Sequence, residues 1–141
     1  MIDRLLVKQR LAIIENFYQE LLQLKELPRE HFLQTRNSAA AESFLRRSLE
    51  AIFDIGRHIL AKSGGIEMAM EYKSIARGLQ EKNIVDKTLS EKLLKMAGYR
   101  NRMVHLYHQI PNEELFEIIQ DNLSDLKDYI RQISNFIDKN K

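Results

Sequence analysis

The sequence predicts an all-α protein, an up-down four-helix bundle with one additional short helix, built as a single domain over residues 1–141. Three observations predict it. Apolar residues recur at three- and four-residue spacing in four long segments, the mark of amphipathic helices. The chain has only five Gly and two Pro, few turn-formers for an all-β protein. No segment reads as a strand.

The first helix is predicted from about Asp3 to Glu26, with Leu6, Ile13, Ile14, Phe17, Leu21 and Leu24 on its apolar side and Pro28 closing it. A connector, REHFLQTRN, follows. Asn37 or Ser38 then suits an N-cap, since a short polar side chain can accept from the first free amides. The second helix is expected from Ser38 to Lys62, with a broad face from Phe44 to Leu60, stopped by Ser63-Gly64-Gly65. A shorter helix, about Met68 to Glu81, turns Ile75, Ala76 and Leu79 inward and ends at Asn83. Asp86 or Thr88 caps the next, which is expected from Lys87 to His108, before Pro111. The last helix starts near Asn112, with Glu113 and Glu114 at its positive end. Its stripe runs from Leu115 to Ile137. Short connections between consecutive helices favour antiparallel neighbours.

Composition narrows the function classes. The chain is 44% hydrophobic and 30% charged, as expected of a globular domain. It has no Cys, which excludes disulfides and thiolate metal sites and suits a reducing, cytoplasmic setting. Charges at Asp3, Arg4, Lys8 and Arg10 exclude a signal-peptide core, and no uncharged run is long enough to cross a membrane. The net charge of +2 is too small for nucleic-acid binding by bulk electrostatics, so an RNA role has to rest on a local site.

One stretch departs from the helix pattern. YRNRMVHLYHQIP, from Tyr99 to Pro111, concentrates hydrogen-bonding and titratable groups where an apolar stripe should continue. On a helical wheel Arg100 falls inside the seam of Leu89, Leu93, Met96, Met103 and Tyr107. A guanidinium keeps its charge, so Arg100 requires a carboxylate, a water-filled cleft or an anionic ligand. A structural ion pair or a snorkelling arginine would meet the same need. Asn101 shares a face with His105, whereas Arg100 and Tyr107 lie on another. A straight helix does not close a site from this set; a second copy of the helix or a local unwinding would. His58 and His108 read as ordinary polar residues. His105 and His108 have no carboxylate at ligand spacing, so no metal is expected. No phosphate-binding glycine loop or nucleophile pattern occurs.

Arg100-Asn101-Arg102-Met103-Val104-His105-Leu106-Tyr107 resembles the R-x-x-x-x-H-x-Y signature of HepT-like toxins in the HEPN superfamily. RRSLEAIFDIGRHIL (residues 46–60) resembles the second helix of that family. YKSIARGLQEKNIVD (72–86) is similar to its short helix and turn, and LLKMAGYRNRMVHLY (93–107) to its motif helix. The resemblance implies a metal-independent endoribonuclease without a cofactor, the toxin of a type VII-like two-gene toxin–antitoxin pair. It implies a homodimer with the two motifs meeting in a cleft, and an MntA-like nucleotidyltransferase antitoxin that transfers AMP from ATP to Tyr107. Arg100 and His105 would be catalytic. Asn101 would orient His105 or hold substrate, Tyr107 would stack on a base or donate to phosphate, and the expected product is a 2′,3′-cyclic phosphate.

The chemistry fits those residue types. An imidazole exchanges protons near neutrality, and an arginine can pair bidentately with phosphate as charge grows there. Arg102 is a candidate for the RNA backbone or for solvent. Asp54 shares a polar strip with Glu50, Arg57 and His58; it could pair with Arg100, help position the site, or form a helix pair with Arg57 or His58. Two other functions stay open: a non-catalytic nucleotide-binding partner of a nucleotidyltransferase, and a dimerisation scaffold whose motif is a buried polar network.

Overall fold

The computed structural model describes residues 1–105 and 110–140. Among these the helices are α1 (Arg4–Lys25), α2 (Arg29–Phe32), α3 (Thr35–Lys62), α4 (Tyr72–Glu81), α5 (Lys87–Val104), α6 (Asn112–Asn122) and α7 (Ser124–Lys139), with a 3₁₀ turn at Ile66–Ala69 before α4. No strand occurs among the described residues. The helix α1 packs along α3 and against α7, while α4 packs on α5 and α3. That is the expected bundle, with α6 and α7 serving as its fourth long member.

Local chemistry fixes the ends. Asp3 caps α1, its carboxylate accepting from the Leu6 amide at 3.0 Å, and Asp86 caps α5 through the Leu89 amide at 2.7 Å. The helix α3 ends in a Schellman turn: Gly64 takes φ +79°, and the Gly65 amide returns to the Leu60 carbonyl at 2.7 Å. Asn83 does the same for α4 at φ 58°, with the Ile84 amide on Leu79 at 2.9 Å.

The core runs the length of α3, where Leu49, Ile52, Phe53, Ile59 and Leu60 are buried against Ile14 and Leu21 of α1, Ile75 of α4 and Tyr129 of α7. The Tyr129 hydroxyl donates to the Ile52 carbonyl at 2.8 Å, which satisfies it in the interior. Burial pushes its pKa far up, so it stays protonated. Gln132 ties α7 to the cap of α5, accepting from the Asp86 amide at 2.8 Å.

Four boundaries differ from the sequence expectation. The connector contains α2, and α3 begins at Thr35 behind Gln34. Asn37 and Ser38 are not caps: their side chains donate to the carbonyls of His31 at 2.9 Å and Phe32 at 2.6 Å, bonding the turn they were expected to follow. The helix expected from Met68 is split, because the chain is extended at Glu71 (ψ 153°). The last helix divides around Leu123, between low-propensity Asn122 and Ser124. Most consequentially, α5 stops at Val104, and His105 is extended at φ −98° and ψ 116°. Leu106, Tyr107, His108 and Gln109 lie outside the described residues.

Candidate active site

The helix α5 starts as an ordinary amphipathic element, with Leu89, Leu93, Met96 and Ala97 buried. Arg100 continues that buried line. Its side chain is only 20% exposed, and its guanidinium carbon lies 4.2 Å from the centroid of the Tyr72 ring. The carboxylate nearest its terminal nitrogens belongs to Glu50 of α3, at 3.9 Å. That is a loose pair, well beyond hydrogen-bond length. The Arg100 Nε is buried and has no hydrogen-bond partner among the described residues. The charge the sequence placed in an apolar seam is therefore held mainly by an aromatic face.

Tyr72, the first residue of α4, is itself fixed from two sides. Its ring meets Phe53 of α3 at 5.0 Å, and the Arg57 guanidinium stands 5.6 Å from its centroid. Arg57 is steered in turn, donating from Nε to the Ala69 carbonyl at 3.2 Å and pairing with Asp54 at 3.7 Å. Asp54 thus forms the helix pair with Arg57, and the carboxylate beside Arg100 is Glu50, one turn earlier on the same polar strip.

Asn101 faces an open groove of about 550 Å³ lined with Arg57, Met70, Glu71, Tyr72 and Lys73. The groove runs beside the Arg100–Tyr72 stack, because Tyr72 borders both. Arg102 points the other way. Both of its terminal nitrogens donate to Glu114 of α6, each at 2.7 Å. This bidentate pair raises the Arg102 pKa and lowers that of Glu114, and it clasps the last turn of α5 to the first turn of α6. In this geometry Arg102 has a structural partner in Glu114.

His105 is exposed, one residue past the end of α5. The wheel relation that separated it from Arg100 assumed a continuous helix, and the chain leaves the helix at this residue. Tyr107 and His108 fall outside the described residues. His58 is a satisfied acceptor, receiving the Asp3 amide at 2.9 Å. Among the described residues no group of three His, Asp or Glu side chains is arranged to hold a metal ion, and no helix is long and apolar enough to cross a membrane.

Three residues of this site have partners that the sequence does not reveal. Glu50 was on the right strip, four residues before Asp54, but only packing decides which acid faces α5. Tyr72 is 28 positions from Arg100, and periodicity carries no sign of their contact. Glu114 shows in sequence only a favourable place at a helix start.

Residues 7–133 match the family model described as Ribonuclease HepT-like. A tRNA nuclease HepT from Aphanizomenon flos-aquae is 24% identical over 137 residues, 96% of this chain and 92% of that protein. An mRNA nuclease HepT from Shewanella oneidensis is 29% identical over 86 residues, 61% and 64% of the two chains. Among solved structures, the tri-AMPylated Shewanella oneidensis HEPN toxin in complex with an MNT antitoxin superimposes with a TM-score of 0.81 at 24% identity, covering 96% of this chain and 99% of that one. At this identity the likeness concerns the fold.

Proposed function

Since the chain belongs to the HepT-like ribonuclease family, we propose that it is an endoribonuclease whose reaction is carried by Arg100 and His105 without a metal ion. One observation supports this above the others. Arg100 is held on an aromatic ring, with its nearest carboxylate loose at 3.9 Å and its Nε buried, so its terminal N–H donors remain available to an RNA phosphate. A structural arginine would have them taken up, as Arg102 does.

The chemistry is an intramolecular phosphoryl transfer. An imidazole takes the proton of the ribose 2′-hydroxyl, and the oxygen attacks the adjacent phosphorus. The bond to the 5′-oxygen breaks, and that oxygen leaves with a proton from a second acid. The products are a 2′,3′-cyclic phosphate and a 5′-hydroxyl. Arg100 stabilises the charge that gathers on the phosphoryl oxygens in the transition state. In a homodimer, two copies of His105 divide the acid and base roles across the cleft. Asn101, on the groove beside Arg100, holds substrate or orients the imidazole. Regulation follows the same reading: an MntA-like nucleotidyltransferase joins the Tyr107 oxygen to the α-phosphorus of ATP, with pyrophosphate leaving, and the added phosphodiester repels RNA.

The test is cleavage of total RNA in EDTA by the purified protein and by His105→Ala and Arg100→Ala. Cleavage by the wild type alone supports the reading. Equal cleavage by His105→Ala refutes the assignment. If no protein cleaves while all are folded and the Tyr107 mass is unmodified, the nucleotide-binding alternative gains.

A further inference from the structure

We propose that Tyr72 is the positioning residue for Arg100: its ring is the platform that holds the guanidinium at the angle needed for phosphate. The inference rests on the ribonuclease reading for its consequence, though its geometric part stands alone.

A long arginine side chain has several rotatable bonds, and something must choose among its rotamers. In this site hydrogen bonds do not. Nε has no partner among the described residues, and Glu50 is at 3.9 Å and substantially exposed. The contact that remains close is the Tyr72 ring at 4.2 Å. A π-face attracts a cation without using any of its N–H donors. Arg100 can thus be oriented and still have its terminal N–H donors open to a bidentate partner. An ion pair at hydrogen-bond distance would orient it equally well but would compete with substrate.

The platform is itself braced. Phe53, fully buried, supports the Tyr72 ring. Arg57 stands over the same ring and is held by Ala69 and Asp54. A line of contacts therefore leads from Asp54 through Arg57 and Tyr72 to Arg100, across three helices. Because the ring and not the phenol hydroxyl carries the effect, Phe should serve where Leu does not.

Two measurements test this together. In a side-chain ¹⁵N–¹H spectrum, the Arg100 Nε–H signal is identified by its loss in Arg100→Lys. Ring-current shielding should displace it upfield in the wild type and in Tyr72→Phe, and Tyr72→Leu should return it to the ordinary arginine position. In the RNA cleavage assay, Tyr72→Phe should keep kcat within about twofold, and Tyr72→Leu should lower kcat by about tenfold with KM changed far less. Loss of folded protein would instead lower the Phe and Leu variants according to their melting temperatures. If Tyr72→Leu does not fold, Tyr72→Met supplies a flexible apolar filler without a ring and should show the same loss. An unshifted Arg100 signal in the wild type, or a ringless variant with wild-type kcat, overturns the proposal. If the wild type cleaves no RNA, the functional reading fails separately. The platform is then judged by titrating a short RNA: perturbation of the Arg100 signal in wild type and Tyr72→Phe but not Tyr72→Leu supports it, and identical responses in all three refute it.

Discussion

Gly56→Ala sets two known effects against each other at the junction of α3 and α4. A Cβ at Gly56 would lie 2.6 Å from Cγ2 of Ile75 and 3.2 Å from Cδ1 of Leu79. Ile75 is 0% exposed and Leu79 1%, so neither side chain has free space to enter. Replacing a helix-interior glycine with alanine favours the fold by about 1 kcal/mol. Overpacking a closed core disfavours it by about 1–3 kcal/mol. A separation of 2.6 Å is closer than real Cβ contacts come, which puts the second effect near the top of its range. The net loss is then about 1–2 kcal/mol, or a fall in Tm of about 3–7 °C for a chain of this length. The strain is relieved by moving α4 outward, and Tyr72 moves with it, so RNA cleavage should fall by more than the folded fraction does. The assay is urea and thermal unfolding by circular dichroism for Gly56→Ala, Ile75→Leu and the double variant. Leucine lacks the Cγ2 branch, so the double variant should be more stable than the sum of the singles predicts. A Tm that rises in Gly56→Ala, or strict additivity, would refute the argument.

Other expectations follow from single contacts. Glu114→Gln breaks the clasp to Arg102; both groups are more than a third exposed, so global stability should fall by about 1 kcal/mol or less, with amide exchange quickening at the start of α6. The Glu114 pKa is depressed by that hydrogen bond, so the clasp's contribution is present above the ordinary carboxylate value and lost as the pH falls below it through the depressed one; a clasp insensitive to acid would contradict this. Burial, with Lys62 second, lowers the pKa of His58 below 6.5. Its neutral ring accepts the Asp3 amide, so protection of that amide should hold above pH 6.5 and be lost as the pH drops further, measured as a protection factor by hydrogen exchange. Tyr129→Phe removes a buried donor from Ile52 and should lower stability by about 1 kcal/mol in urea unfolding; no change would mean that the bond adds nothing net. Glu50→Gln deletes a loose pair at 3.9 Å whose carboxylate is exposed, so stability should shift by less than about 1 kcal/mol, while RNA affinity at low salt should rise. A several-fold loss of affinity would show Glu50 to be needed by the substrate.

The bundle was legible because its helices bury broad stripes whose period survives in the sequence. Asp3, Gly64, Asn83 and Asp86 act where their types suggest, since caps are decided within a few residues. The errors share another cause. Asn37 and Ser38 have the right chemistry for a cap, yet His31 and Phe32 turn back far enough to offer carbonyls to them. Val104 and His105 continue an acceptable helical pattern, but the chain beyond them has to reach α6, which Arg102 and Glu114 hold beside α5. In the site, Arg100 stood out because a charge in an apolar seam violates a local rule. What answers that charge comes from α3 and α4, and no local rule reaches that far.

The end of α5 at Val104 changes what the motif's spacing means. Inside a helix, four intervening residues would fix the arginine and the histidine at a set height and angle. Here the final step from Val104 to His105 is extended, so the count along the chain no longer dictates the separation in space. Arg100 inherits its position from a packed helix, and His105 from the connection that leaves it. The two halves of the signature are therefore under separate architectural control: a residue inserted after Val104 would re-aim the imidazole and leave the guanidinium where it is, whereas one inserted before Arg100 would rotate both.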